Sequence, residues 1–344
     1  MGSEEEKKNE INTEELLAEL RNNSELLNDP LEHVTKVLGL VHYGDEKVKK
    51  ACLLSIVTAW LPSRYHISCA ITGPTMTGKT NLLHALFDLT PRSRIFDESI
   101  LLGMSPMYLF YEAANRGEKI EEGSIKKYIF NVEHFVVFLG DFALLYLEWK
   151  KRYSSRRLFR FLFSAEDEET ICHGLKIQYC IKGRPVFIST LLDEDVRLLK
   201  GQELGRLLMA WVDTNRTLKD EVELALFIRD LLSSPKQREQ FKDSAQLVRS
   251  FLGLLPIVKS VELSHDAIKS LEESIVSLPN KGDTEVIALR LASLSASYVL
   301  LKYTANLIRE GKNVPGELDK LEVTGESVRY IWNIARDIII HPKP

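Results

Sequence analysis

With 344 residues, 44% hydrophobic and 27% charged, the chain is long enough for two ordinary domains with a sizeable core. A formal net charge of −4 excludes a global attraction to nucleic acid, so any such contact must come from local patches. No apolar run reaches the roughly 18 residues of a bilayer span, and the polar opening is unlike a signal peptide, so a cytoplasmic protein with no membrane partner is expected.

Residues 1–12 read as a polar tail and residues 13–44 as N-terminal helices. Leu16, Leu17 and Leu20 suit a first helix. Asp29-Pro30 supplies a cap and a first-position proline for a second. A third opens at Asp45 and is stopped by Pro62. Five short β-type runs follow, at His66–Thr72, Arg94–Phe96, Phe135–Leu139, Pro185–Ser189 and Leu207–Val212. Their near-continuous apolar character suits strands covered on both faces, which predicts an α/β layer with a five-stranded, mostly parallel sheet over 45–217. Helical patterns then dominate, and 218–344 is read as an all-helical second domain. No internal repeat is evident. Cys52, Cys69, Cys172 and Cys180 form no Cys-x-x-Cys pair and read as reduced, non-ligating thiols.

Gly73-Pro74-Thr75-Met76-Thr77-Gly78-Lys79-Thr80 matches Gly-x-x-x-x-Gly-Lys-Thr between an apolar strand and a helical run. The glycines let the backbone curl so that its N–H groups face phosphates at the positive end of a helix. Lys79 is expected to reach the β- and γ-phosphates of ATP, and the Thr80 hydroxyl to hold Mg²⁺. Asp141, at the end of the Phe135–Leu139 run, is the candidate second metal group. It stands in Gly140-Asp141-Phe142, with one carboxylate where such ATPases usually carry Asp-Glu.

Together these segments resemble the AAA+ module of the minichromosome maintenance (MCM) replicative helicases. The resemblance runs from His42-Tyr43-Gly44-Asp45-Glu46-Lys47-Val48, similar to that family's adenine-pocket border, through Lys79-Thr80-Asn81-Leu82-Leu83, to Val286–Leu300 and Val323–Val328, similar to its helical lid. It implies an AAA+ P-loop NTPase core followed by a lid, with Tyr43, the loop and Asn81 at the nucleotide. It also implies Ser189 or Thr190 as a γ-phosphate sensor and Arg206 as an arginine finger, in a homo-oligomeric ring or beside another AAA+ subunit. The chain departs at Gly140 and at Asp283, where the family's second-sensor arginine falls and Lys281 lies close. Plasmid and virus helicases of superfamily 3, and AAA+ loaders, share much of the same skeleton.

DNA contacts are expected in two places. Lys150, Lys151, Arg152, Arg156, Arg157 and Arg160 crowd into eleven residues without an acid. A second patch of His173, Lys176, Lys182 and Arg184 lies on an expected hairpin, where exposed lysines also serve to discourage strand pairing. Two function classes fit: an ATP-driven DNA helicase or translocase subunit acting in replication, and a nucleotide-gated DNA-binding or regulatory protein that uses ATP as a switch.

Overall fold

The computed structural model describes residues 14–97, 99–101, 106–150, 158, 161–162, 169–199, 207–213, 217–278 and 284–340. A helical stretch over 14–22 is followed by α1 (Ser24–Asn28), α2 (Pro30–Gly39) and α3 (Glu46–Val57). As Asp29-Pro30 predicts, the Asp29 side chain accepts the Glu32 N–H and Pro30 occupies the first turn of α2. Next come β1 (Ser68–Gly73), α4 (Lys79–Leu89), α5 (Pro106–Arg116), β2 (Glu118–Glu122), β3 (Ile125–Asn131), β4 (Val136–Leu139) and α6 (Phe142–Lys150). Then follow β5 (Thr170–His173), β6 (Ile177–Lys182), β7 (Val186–Leu192), β8 (Leu207–Trp211), α7 (Leu218–Ser233) and α8 (Pro235–Gly253). The last elements are β9 (Ile257–Val258), β10 (Val261–Leu263), α9 (His265–Val276), α10 (Thr284–Arg309), β11 (Glu317–Leu318), β12 (Leu321–Val323) and α11 (Gly325–Ile340).

The chain is an α/β protein. Its central sheet is parallel throughout, in the order β4-β7-β1-β8. Alternation along each strand divides the sheet between two cores. Cys69, Ile71, Val136, Phe138, Val186 and Ile188 join one with α3, α4, α10 and α11. Ala70, Val137, Leu139 and Phe187 join the other with α6. The expected fifth strand at Arg94–Phe96 is not one: residues 92–94 make a 3-10 turn, and among the described residues that follow, Ile95 and Leu101 meet β4 in isolated parallel bridges to Val136 and Leu139. Pro91 ahead of this short run, and the turn itself, leave too few extended residues for a ladder.

A second four-stranded sheet, β2-β3-β6-β5, was not legible in the sequence. The expected hairpin is present as β5–β6, but β6 also pairs in parallel with β3 of a second hairpin. Cys172 and Cys180 face each other across β5 and β6 as a disulfide, against the expectation of four free thiols. Cys52 and Cys69 are free and buried, with their sulfurs 3.5 Å apart.

The region beyond 218 is also not all-helical. Two parallel pairs, β9–β11 and β10–β12, match Ile257 with Glu317 and Val261 with Leu321, and each β10- or β12-type strand leads directly into a helix. The unit of two short strands and a helix therefore occurs twice, a repeat too divergent in sequence to be seen there. Among the described residues one helix, α10, is long and apolar enough to cross a membrane; 61% of its most apolar window is buried inside the protein.

Candidate functional site

The carboxyl ends of β1, β4 and β7 converge on one edge of the parallel sheet, the position where open α/β sheets form ligand crevices. β1 is buried along its whole length and delivers Gly73 into the turn that starts α4. At the tip Met76 is fully exposed with φ 63°, and Pro74, Thr75 and Thr77 complete the curve. Thr77 Oγ1 donates to the Pro74 carbonyl at 3.0 Å. Gly78 has φ 84°, a conformation that favours glycine, and a Cβ there would lie 3.2 Å from the His42 ring.

Lys79 folds back under the loop: its ammonium donates to the Gly73 carbonyl at 2.7 Å and also to that of Pro74. Burial pushes this lysine below its ordinary range, opposed by attraction to Asp193. Thr80 and Asn81 stand exposed on the first turn of α4. The loop thus combines a helix N-terminus with a lysine that, among the described residues, bonds to carbonyls an anion could replace.

Asp141 stands one residue beyond β4, after Gly140, and its Oδ1 accepts the Ala143 N–H at 2.8 Å and the Leu144 N–H at 3.4 Å, which caps α6. Thr190 Oγ1 donates to the Gly140 carbonyl, joining the end of β7 to the residue before Asp141. Its neighbour Ser189 points to the other face of the sheet, fully buried, its hydroxyl without a partner among the described residues. Of the two sensor candidates, Thr190 is the one beside Asp141.

Sequence reasoning missed the acidic run Asp193-Glu194-Asp195 just past β7. Asp193 caps a 3-10 turn over Glu194–Leu198 and attracts Lys79. Asp195 is pushed above the ordinary carboxylate value by burial and then by the charge of Asp141. A second carboxylate therefore approaches Asp141 from a different strand. Nothing local in the sequence links the two residues.

Tyr43, expected at the base pocket, borders a cavity of about 470 Å³ lined by His42, Asp45, Glu46, Lys49, Asp213 and Asp220 among others. This is within the size range of small-molecule sites. His42 belongs to this cavity, and its ring lies 3.2 Å from where a Cβ on Gly78 would stand, so cavity and loop adjoin.

Arg206, implied as the arginine finger, and Lys281 and Asp283 at the second-sensor position lie outside the described residues. The expected nucleic-acid residues divide: Lys151, Arg152, Arg156, Arg157, Arg160 and the Lys150 side chain also lie outside the described residues. Lys176 is exposed in the β5–β6 turn, and Lys182 is half-buried at the far end of β6, about 20 Å away at strand rise. The two do not form one cluster. Arg184 is not a surface cation: it is 2% exposed and donates to the His66 carbonyl at 3.2 Å. Exposed Lys126 on β3, paired in register with Ile177, is the cation the sequence reading missed near Lys176. Among the described residues no group of three or more His, Cys, Asp or Glu side chains is arranged to hold a metal on its own.

Fold and site define an α/β protein with a glycine-bounded loop, a buried lysine and flanking carboxylates at the carboxyl edge of a parallel sheet. No family model matches the chain. An uncharacterized protein of Methanothermobacter marburgensis is 42% identical over 83 residues, which is 24% of this chain and 10% of that protein. The matched stretch thus spans about a tenth of the relative's length.

Proposed function

We propose that the chain is an ATP-binding AAA+ protein related to the MCM helicases, a DNA helicase or translocase subunit of replication. The observation that carries this reading is the strand–loop–helix at Gly73–Thr80, whose buried Lys79 donates to the loop carbonyls, on the sheet edge where β4 and β7 also end with Asp141 and Thr190, beside a cavity of about 470 Å³. The α4 N–H groups and Lys79 bind the phosphates, with Lys79 exchanging its loop carbonyls for phosphate oxygens. Thr80 and Asp141 would hold Mg²⁺, which neutralises charge developing on the phosphates. Thr190 holds the Gly140 carbonyl and so positions Asp141. In an assembled ring Arg206 would reach a neighbouring subunit's nucleotide, and Lys176 and Lys126 would meet the DNA backbone.

A second reading, a nucleotide-gated switch, is favoured by Asp141, whose Oδ1 is committed to capping α6. Steady-state ATPase measurement with and without single-stranded DNA separates the two. The motor predicts turnover that DNA stimulates and Lys79→Ala abolishes. The switch predicts tight ATP binding with negligible hydrolysis, raised by restoring Gly140→Asp with Asp141→Glu. Absence of ATP binding by folded protein overturns both.

A further inference from the structure

His42 is 4% exposed, and its Nε2 lies 2.8 Å from Asp45 Oδ2. The Asp45 side chain is itself 2% exposed, and its second oxygen accepts the Asp213 N–H at 2.8 Å. A carboxylate can only accept, so the His42 proton that it meets sits on Nε2. Asp45 holds this arrangement in a left-handed conformation, φ 57°, and its carboxylate makes no cap for α3 although it stands at the cap position. The side chain that could finish the helix is turned to the histidine instead.

The opposite edge of the ring faces the loop. A Cβ on Gly78 would lie 3.2 Å from both Nδ1 and Cε1 of His42, and Nδ1 has no hydrogen-bond partner among the described residues. In the neutral ring with its proton on Nε2, Nδ1 is an acceptor. The same ring lines the cavity beside Asp45, Glu46, Asp213 and Asp220, with Lys49 as the cation. A wall with this excess of carboxylates repels phosphate and accepts hydrogen bonds from hydroxyl and amino groups.

We propose that His42 is a specificity-determining contact for the nucleoside half of the bound nucleotide, with Nδ1 accepting a hydrogen bond from a ribose hydroxyl or an exocyclic base amine. The inference rests on the nucleotide reading of the Gly73–Thr80 loop. Asp45 is the positioning residue, since it holds the ring proton on the far nitrogen.

The test is equilibrium binding to the full chain of ATP, 2′-deoxy-ATP, 3′-deoxy-ATP, purine riboside triphosphate and inorganic tripolyphosphate. Wild type, His42→Ala and Asp45→Asn are compared, with folding checked by circular dichroism. His42→Ala is expected to weaken ATP about five- to tenfold, the worth of one hydrogen bond, and to leave tripolyphosphate unchanged. One of the three analogues should lose the same factor on wild type and nothing further on the variant, which identifies the donor. Asp45→Asn has one oxygen for two donors and should show the same selective loss. Equal weakening of ATP and tripolyphosphate, unchanged ATP affinity, or wild type that does not distinguish the three analogues from ATP overturns the proposal. The analogue comparison on wild type stands even if a variant does not fold. Wild type that binds tripolyphosphate but ATP no more tightly defeats the His42 proposal alone. Folded wild type that binds neither defeats the loop reading, and the proposal with it.

Discussion

The Tyr43 hydroxyl donates to Glu223 Oε2 at 2.7 Å, and its ring meets that of Phe227 at 5.8 Å. One aromatic residue thus ties the segment ahead of α3 to α7, a helix whose Leu218, Val222, Leu226 and Ile228 are exposed. Tyr43→Ala is expected to raise amide exchange across 218–233 while α10 stays protected, because few other contacts restrain α7. Tyr43→Phe, which keeps the ring, should cost about 0.5–1 kcal/mol or less of global stability. Exchange by mass spectrometry decides it: unchanged protection of α7 in Tyr43→Ala would show that the helix is anchored elsewhere.

If Asp141 holds the metal as proposed and also caps α6, substitution separates the two roles. Asn caps helices as well as Asp, so Asp141→Asn should keep the fold and lose turnover. Asp141→Ala should lose turnover and about 1 kcal/mol of stability with the cap. ATPase rates and denaturant midpoints measured on both variants test this. Wild-type turnover in Asp141→Asn would remove Asp141 from the chemistry.

Lys49 carries a buried charge: 1% of its side chain is exposed, and its Nζ lies 3.1 Å from Glu46 Oε1. Burial holds this lysine below its ordinary range despite the carboxylate. Lys49→Met should therefore be neutral or stabilising, since desolvation offsets the pair's attraction. Glu46→Ala leaves the ammonium without its partner and should cost about 1–2 kcal/mol, reduced from the fully buried case because Glu46 is largely exposed. Thermal melts that rank the two variants the other way would falsify this account.

Acid should destabilise the protein before its carboxylates titrate. His66 is buried between the Arg184 carbonyl at 2.6 Å and the Leu61 carbonyl at 2.9 Å. Burial, with Arg184 and His134 nearby, pushes it well below its ordinary value, and burial lowers His134 as well. With the folded value below the unfolded one, the unfolded chain binds more protons in between. Stability is then lost as pH falls below about 6.5, by up to ~1.4 kcal/mol per unit for each histidine. Urea midpoints at pH 7.5 and 5.5 provide the check; a flat or rising midpoint at the lower pH contradicts it.

Local signals carried far in this chain. Asp29-Pro30 foretold the cap and first turn of α2 because both act within three residues of themselves. The strand–loop–helix setting of Gly73–Thr80 was readable for the same reason: an apolar run, two glycines and a helical period are adjacent in sequence. The Arg94–Phe96 strand failed because three residues cannot report whether a partner's ladder continues past a turn.

What the sequence by itself determined was therefore the α/β class, the parallel strands around β1 and the loop that ends it, all set by burial pattern and short-range backbone preference. Only the tertiary structure decided that β3 pairs with β6, that Cys172 meets Cys180, and that Asp195 approaches Asp141 from another strand. It also brought His42 against Gly78 with Asp45 behind it. Apart from the hairpin pair Cys172–Cys180 and the neighbours His42 and Asp45, those relationships join residues far apart in the chain, and their energies come from packing and desolvation that exist only once the sheet and helices have closed around them.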